Sequence, residues 1–196
     1  MRPSSMLSMT ITAIEAINGR RSIRQFTARV PSRDEVETIL TAAVQAPNHR
    51  LTQPWRFFVL GAEARYAYGL ALGNRKAKKI EDVAAAERMR RTVAEEHAAL
   101  PMMIAVGMTE DANLEIREED YAATMMAVQN LSLAAVSLGL GTHIKTGAIM
   151  QDPAARAAAG VPEGERIVVV LNVGEPATVP PAKERKSAAS LTTWMP

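Results

Sequence analysis

Apolar positions along the chain alternate between two periods, and the changes mark its elements. Ile11, Ile14 and Ile17 recur at helical spacing, with Thr12 three residues before Glu15 as in a capping box. A helix is therefore predicted over 9–18, stopped by Asn18-Gly19, where glycine accepts the left-handed conformation of a C-cap. Ser32 and Glu35 repeat the capping-box spacing, and Val36, Ile39, Leu40, Ala43 and Val44 carry the stripe on until Pro47. Residues 56–60 form a short apolar run that reads as a buried strand. Residues 63–98 are helical in composition and rich in charge, and Pro101 precedes a second strand over 102–106. A long helix is predicted over 118–138. Glu118, Glu119 and Asp120 suit its positive end, and its later part is apolar nearly all round. Such a helix must be buried on several sides, and packing against a second copy is one way to achieve that in a small chain. Gly139-Leu140-Gly141 closes it, residues 143–146 form a short strand, Asp152-Pro153 opens a short helix, and 166–173 is the clearest strand. Strands alternating with longer helices predict an α+β or α/β layered domain.

Composition narrows the function classes. A chain of 196 residues, 47% hydrophobic and 22% charged, fits a single globular domain over 1–196, without an internal repeat or a splitting linker. No apolar run approaches the ~20 residues of a membrane span. The opening of the chain has neither an unbroken apolar run nor a small-residue cleavage site, so it is not read as a signal peptide, and a cytoplasmic protein is expected. Net charge is only +2 and aromatics are 4%, which argues against a general nucleic-acid binder. There is no cysteine, which excludes disulfides and thiol catalysis. With His49, His97 and His143 the only histidines, no metal site is expected. Any catalysis is expected to rely on a borrowed cofactor.

Four segments carry candidate chemistry. Arg20-Arg21-Ser22 with Arg24 offers forked cations and a hydroxyl suited to a phosphate, or else a solvated basic turn. Pro47-Asn48-His49 is a turn-prone polar loop before a buried strand, where ligand contacts often sit; His49 alone also reads as a structural turn residue. Lys145 ends an apolar segment, where its ammonium must reach either water or an anion. Residues 63–98 are either a solvated helical excursion or a lid. Gly139-Leu140-Gly141 follows a helix and precedes a strand, the reverse of a dinucleotide fingerprint, so it reads as a cap and turn. No acid–base or nucleophile constellation can be assembled from spacing.

Taken together and in order, these segments resemble the nitroreductase family of FMN-dependent oxidoreductases. The resemblance runs from about Ile14 to Pro176. It rests on Arg20-Arg21-Ser22-Ile23-Arg24-Gln25-Phe26, Ala46-Pro47-Asn48-His49, Gln53-Pro54-Trp55-Arg56-Phe57, Leu138-Gly139-Leu140-Gly141-Thr142 and Leu171-Asn172-Val173-Gly174-Glu175-Pro176. The second loop is similar to that of the short branch of the family. The resemblance implies a central, mostly antiparallel sheet flanked by helices, and a homodimer with swapped C-terminal tails, here from about 177 to 196. It implies bound FMN, with NADH or NADPH as co-substrate and ping-pong transfer to a nitroaromatic or quinone type of acceptor. The reactive atom would be flavin N5, so no catalytic side chain is named. Arg20, Arg21 and Ser22 would hold the FMN phosphate and ribityl chain. Gln45, Pro47, Asn48 and His49 would approach the ring from the other protomer. Ile144, Lys145 and Thr146 would lie along the isoalloxazine, and Arg185 would add a tail contact. Ala134, Ala135, Val136, Ser137, Leu138 and Gly139 would line the nicotinamide side. A flavin-dependent dehydrogenase or dehalogenase of one metabolite, and a non-catalytic flavin-binding protein, are the alternatives.

Overall fold

The computed structural model describes residues 11–196, so the opening of the chain and the predicted start of the first helix at 9–10 lie outside the described residues. Helix α1 (Ala13–Gly19) opens on the reciprocal capping box that the spacing requires. Thr12 Oγ1 accepts from the Glu15 N–H, and the Glu15 carboxylate accepts from the Thr12 N–H at 2.7 Å. Its end corrects the expectation, because Gly19 does not take the left-handed conformation. The chain leaves through an extended Arg20 whose N–H bonds to the Ala16 carbonyl, and the extended exit aims the next residues at the sheet edge. Helix α2 (Arg33–Ala43) carries the second capping box, Ser32 with Glu35.

Four strands make one antiparallel sheet in the order β1-β2-β4-β3: β1 (Trp55–Leu60), β2 (Met102–Thr109), β3 (Gly141–Lys145) and β4 (Glu165–Gly174). Side chains alternate across it. One face, with Ile104, Val106, Leu171 and Val173, packs against α2 and α5 (Leu114–Ser137). The other, with Met103, Ala105, Ile167 and Val170, packs against α3 (Ala62–Ala77) and α6 (Pro153–Ala158). Helix α5 starts four residues earlier than predicted, because Asn113 rather than an acid caps it; its carboxamide oxygen accepts from the Glu115 N–H. Asp120 therefore lies inside the helix, and it is buried. Gly139 at φ +73° ends α5, as the Gly-x-Gly reading expected.

Residues 63–98 are a close-packed helical hairpin of α3 and α4 (Val83–Ala98). A Cβ placed on Gly69 would stand 2.8 Å from the Val93 carbonyl oxygen, and one on Gly73 would stand 2.9 Å from Arg90 Cα. The helices thus approach closer than side chains would permit. Arg65 pins the base of the hairpin, donating to the Leu60 and Ala98 carbonyls at 2.8 and 3.0 Å. Among the described residues, no helix is long and apolar enough to cross a membrane.

Candidate functional site

The segment after α1 is extended and stitched to the sheet. Ser22 bridges Thr142 of β3, and the Ile23 N–H donates to the Thr142 carbonyl at 2.9 Å. Phe26 bridges Pro176, and the Ala177 N–H returns to the Gln25 carbonyl at 3.0 Å. Ile23 is buried against Gly141, where any side chain would collide with it, and Phe26 lies over Gly174. Extended backbone alternates, so burying Ile23 turns Ser22 and Arg24 the other way.

That alternation builds a cavity of about 890 Å³ between the end of α1, residues 20–25, Gln129 of α5 and tail residues 178–185. Among the described residues, Arg20, Arg21, Arg24, Lys183 and Arg185 line it, and no carboxylate does. The volume is that of a small-molecule site. Unopposed forked and point cations, with the Ser22 hydroxyl nearby, suit a phosphate-bearing ligand. The two adjacent arginines differ. Arg21 Nη1 donates to the Asn18 and Arg20 carbonyls at 2.7 and 2.9 Å, closing the end of α1. Among the described residues, the Arg20 side chain has no such partner.

The structure brings Arg20, Arg21, Ser22 and Arg185 around one cavity with Arg24 of the same basic segment, and adds Gln129 and Lys183, to which the resemblance gives no role. The missed signal was period two. Ser22 with Arg24 and Lys183 with Arg185 are alternate residues of extended segments, so each pair faces one side. Gln45, Pro47, Asn48 and His49 do not line the cavity. His49 Nδ1 lies 2.9 Å from Glu119 Oε1, and Glu119 is ten residues, about 15 Å of helix, from Gln129. Ile144, Lys145 and Thr146 do not line it either. Ile144 packs against the core beneath α5, while Lys145 shares the opposite sheet face with His143. Burial and then Lys76 lower the Lys145 pKa, against Glu96; burial, Lys145 and Arg24 lower that of His143.

The nicotinamide-side assignment needs correction at Ala135, which is fully buried in the core and presents no surface to a ligand. Ala134 and Leu138 pack on the same core, and only Ser137 and Gly139 of that run are exposed. The all-round apolar helix hid this from the sequence, since a uniform stretch has no face to read.

Comparison with known proteins places this architecture. The family model described as "Nitroreductase family" matches residues 17–175. YfhC of Bacillus subtilis (strain 168), to which the name NAD(P)H nitroreductase is provisionally attached, is 32% identical over 174 residues, covering 87% of this chain and 88% of its own. The nitroreductase-like family protein from Bacillus cereus superposes with a TM-score of 0.82 at 29% identity, over 94% of this chain and 96% of that one. A Desulfovibrio desulfuricans relative, solved in complex with FMN, gives 0.69 at 28% identity, over 94% and 96%. Matches of this extent, on the antiparallel sheet and stitched basic segment just described, show that the chain belongs to the nitroreductase family.

Proposed function

We propose that the protein is an FMN-dependent oxidoreductase that takes electrons from NADH or NADPH and passes them, in ping-pong order, to an electron-poor acceptor of nitroaromatic or quinone type. The observation that carries this reading is the cavity lined by five cationic side chains and no carboxylate. An FMN phosphate needs such a set, and the residues present fit it. The name of the Bacillus subtilis relative and the FMN in the Desulfovibrio desulfuricans structure point the same way.

When bound, FMN supplies at N5 the two-electron chemistry that no side chain of this chain provides. Arg20, Arg24, Lys183 and Arg185 would neutralise the phosphate, and Ser22 would donate a hydrogen bond to it or to the ribityl chain. Lys145, in no ion pair among the described residues, would place positive charge beside the ring and favour electron entry if that part of the flavin lies along β3. Gln45, Pro47, Asn48 and His49 would reach the ring from a second copy. The functional unit is a homodimer whose tails cross over. In support, residues 177–196 are exposed throughout, with Trp194 at 89% and Leu191 at 69%. Ile14 and Ile17 of α1 are also exposed. Apolar groups displayed in this way call for a partner surface. The setting is the cytoplasm, where NAD(P)H is regenerated.

The test is the visible spectrum of the purified protein with FMN, followed by anaerobic addition of NADPH and then NADH. Flavin absorbance that bleaches is expected. Absorbance that persists under both nucleotides would favour flavin binding without turnover, and failure to take up FMN would overturn the reading.

A further inference from the structure

Between α2 and β1 the chain takes a costly path. Arg50, Leu51 and Gln53 adopt φ of +57°, +54° and +45°, and none is glycine. A left-handed non-glycine residue costs about 1–2 kcal/mol, so such a segment persists only where its surroundings hold it. Burial does not hold this one: Leu51 is 78% exposed, and residues 47–53 are exposed except for a half-buried Asn48. Within the loop the Gln53 N–H donates to Asn48 Oδ1 at 3.1 Å. The Thr52 N–H donates to the His49 carbonyl at 3.4 Å and Arg56 Nη1 to the Gln53 carbonyl at 3.2 Å, and the ties to the helical layer come from two adjacent acids of α5. Thr52 Oγ1 donates to Asp120 Oδ1 at 2.6 Å, the His49 ring meets Glu119 Oε1 at 2.9 Å, and Arg50 lies 3.7 Å from Glu119 Oε2.

The two acids are not equivalent. Glu119 and its partners are partly exposed, and pairs of that kind contribute little. Asp120 is only 4% exposed, on a helix face shared with Ala123, Ala127 and Thr124. A carboxylate there is costly unless hydrogen-bonded, and Thr52 is the partner seen among the described residues. A small apolar residue would pack on that face without the cost. The carboxylate instead ties a strained surface loop to the longest helix.

We propose that Asp120 is a positioning residue for the redox site. Through Thr52 it holds residues 48–53 in the left-handed path that presents Asn48 and His49, and Glu119 orients the His49 ring by accepting from Nδ1–H, leaving Nε2 for the ligand. This rests on the reading above that Asn48 and His49 approach the flavin of a second copy.

Thr52→Val tests it by removing the hydroxyl and leaving the Asp120 carboxylate unpaired, so its urea midpoint is read alongside, and Thr52→Ser restores the hydroxyl. Asp120→Asn is the second variant. Two quantities are measured: the FMN dissociation constant by flavin fluorescence, and the rate of tryptic cleavage after Arg50 in the FMN-free protein. Thr52→Val is expected to weaken FMN binding roughly tenfold and to speed that one cleavage by about as much, with Thr52→Ser close to wild type. Asp120→Asn keeps a carboxamide oxygen that accepts from Thr52 Oγ1 and loses only the charge, so it should fall between wild type and Thr52→Val. Unchanged cleavage, or equal effects of Val and Ser, overturns the clamp. Faster cleavage with unchanged FMN affinity overturns the positioning role while leaving the cofactor reading intact. A wild-type protein that binds no FMN overturns both, and the cleavage rates then report the clamp alone.

Discussion

Arg20 and Arg21 are neighbours of one residue type in one cavity, yet their side chains are differently committed. Arg21 spends a guanidinium nitrogen on two carbonyls at the end of α1, whereas Arg20 has none of its bonds so engaged among the described residues. Arg20→Ala is therefore expected to weaken FMN binding roughly tenfold or more, by loss of a charge-assisted bond. Arg21→Ala should weaken it less and instead lower stability by about 1 kcal/mol. A fluorescence titration of both variants decides, and a larger loss from Arg21→Ala would reverse the assignment. The adjacent arginines are plain in the sequence, but their division of labour is not, since it depends on which carbonyls the helix end exposes. His97 makes a second case. It is buried on α4, with its Nδ1–H donating to the Val93 carbonyl at 2.7 Å. Burial, helped by Lys145 and Lys76, lowers its pKa from the ordinary 6.5, against the Val93 bond and Glu96. The unfolded chain then binds a proton that the folded one refuses. Stability is complete above 6.5 and is lost as pH falls below it. Urea midpoints should drop between about pH 7 and about pH 5, and His97→Asn should flatten the drop. His143, shifted the same way, leaves a residual slope.

Helices α3 and α4 depend on two absent side chains. The atoms that a Cβ on Gly69 or Gly73 would meet belong mainly to the α4 backbone, which cannot swing aside. Overpacking of that kind costs about 1–3 kcal/mol, more than the ~1 kcal/mol that alanine gains over glycine in a helix interior. Gly73→Ala should therefore destabilise the protein on balance, as read by its chemical-denaturation midpoint; a stabilised variant would show that the helices can part. The first turns of α1 and α2 were legible from their capping boxes alone, because Thr12, Ser32 and their glutamates act within one turn. The hairpin was legible only as helical composition. Its close approach rests on a pair of glycines four residues apart meeting a partner helix about twenty residues onward, and nothing local records that contact.

For the whole molecule, the decisive segment is the tail. It supplies Lys183 and Arg185 to the cavity, yet residues 177–196 bury none of their side chains on their own chain. Truncation after Ala177 should thus remove two of five cations together with the arm proposed to cross to a second copy. Light scattering is expected to fall from twice the 21.2 kDa chain mass toward the single value, with FMN affinity down at least tenfold. A full-length protein that is already monomeric would refute the swapped-tail assembly.

Local chemistry determined much of this protein from sequence alone. Caps, turns and strand runs follow from interactions among near neighbours, and the ordered motifs were enough to identify the family. Tertiary structure decided the rest. It set which of the clustered arginines stays free, which face of the uniformly apolar α5 is closed to ligands, and how Asp120 reaches Thr52 across 68 residues. Each depends on a contact between segments far apart in the chain, where side-chain direction and depth of burial carry the energy and spacing along the sequence carries no trace of either.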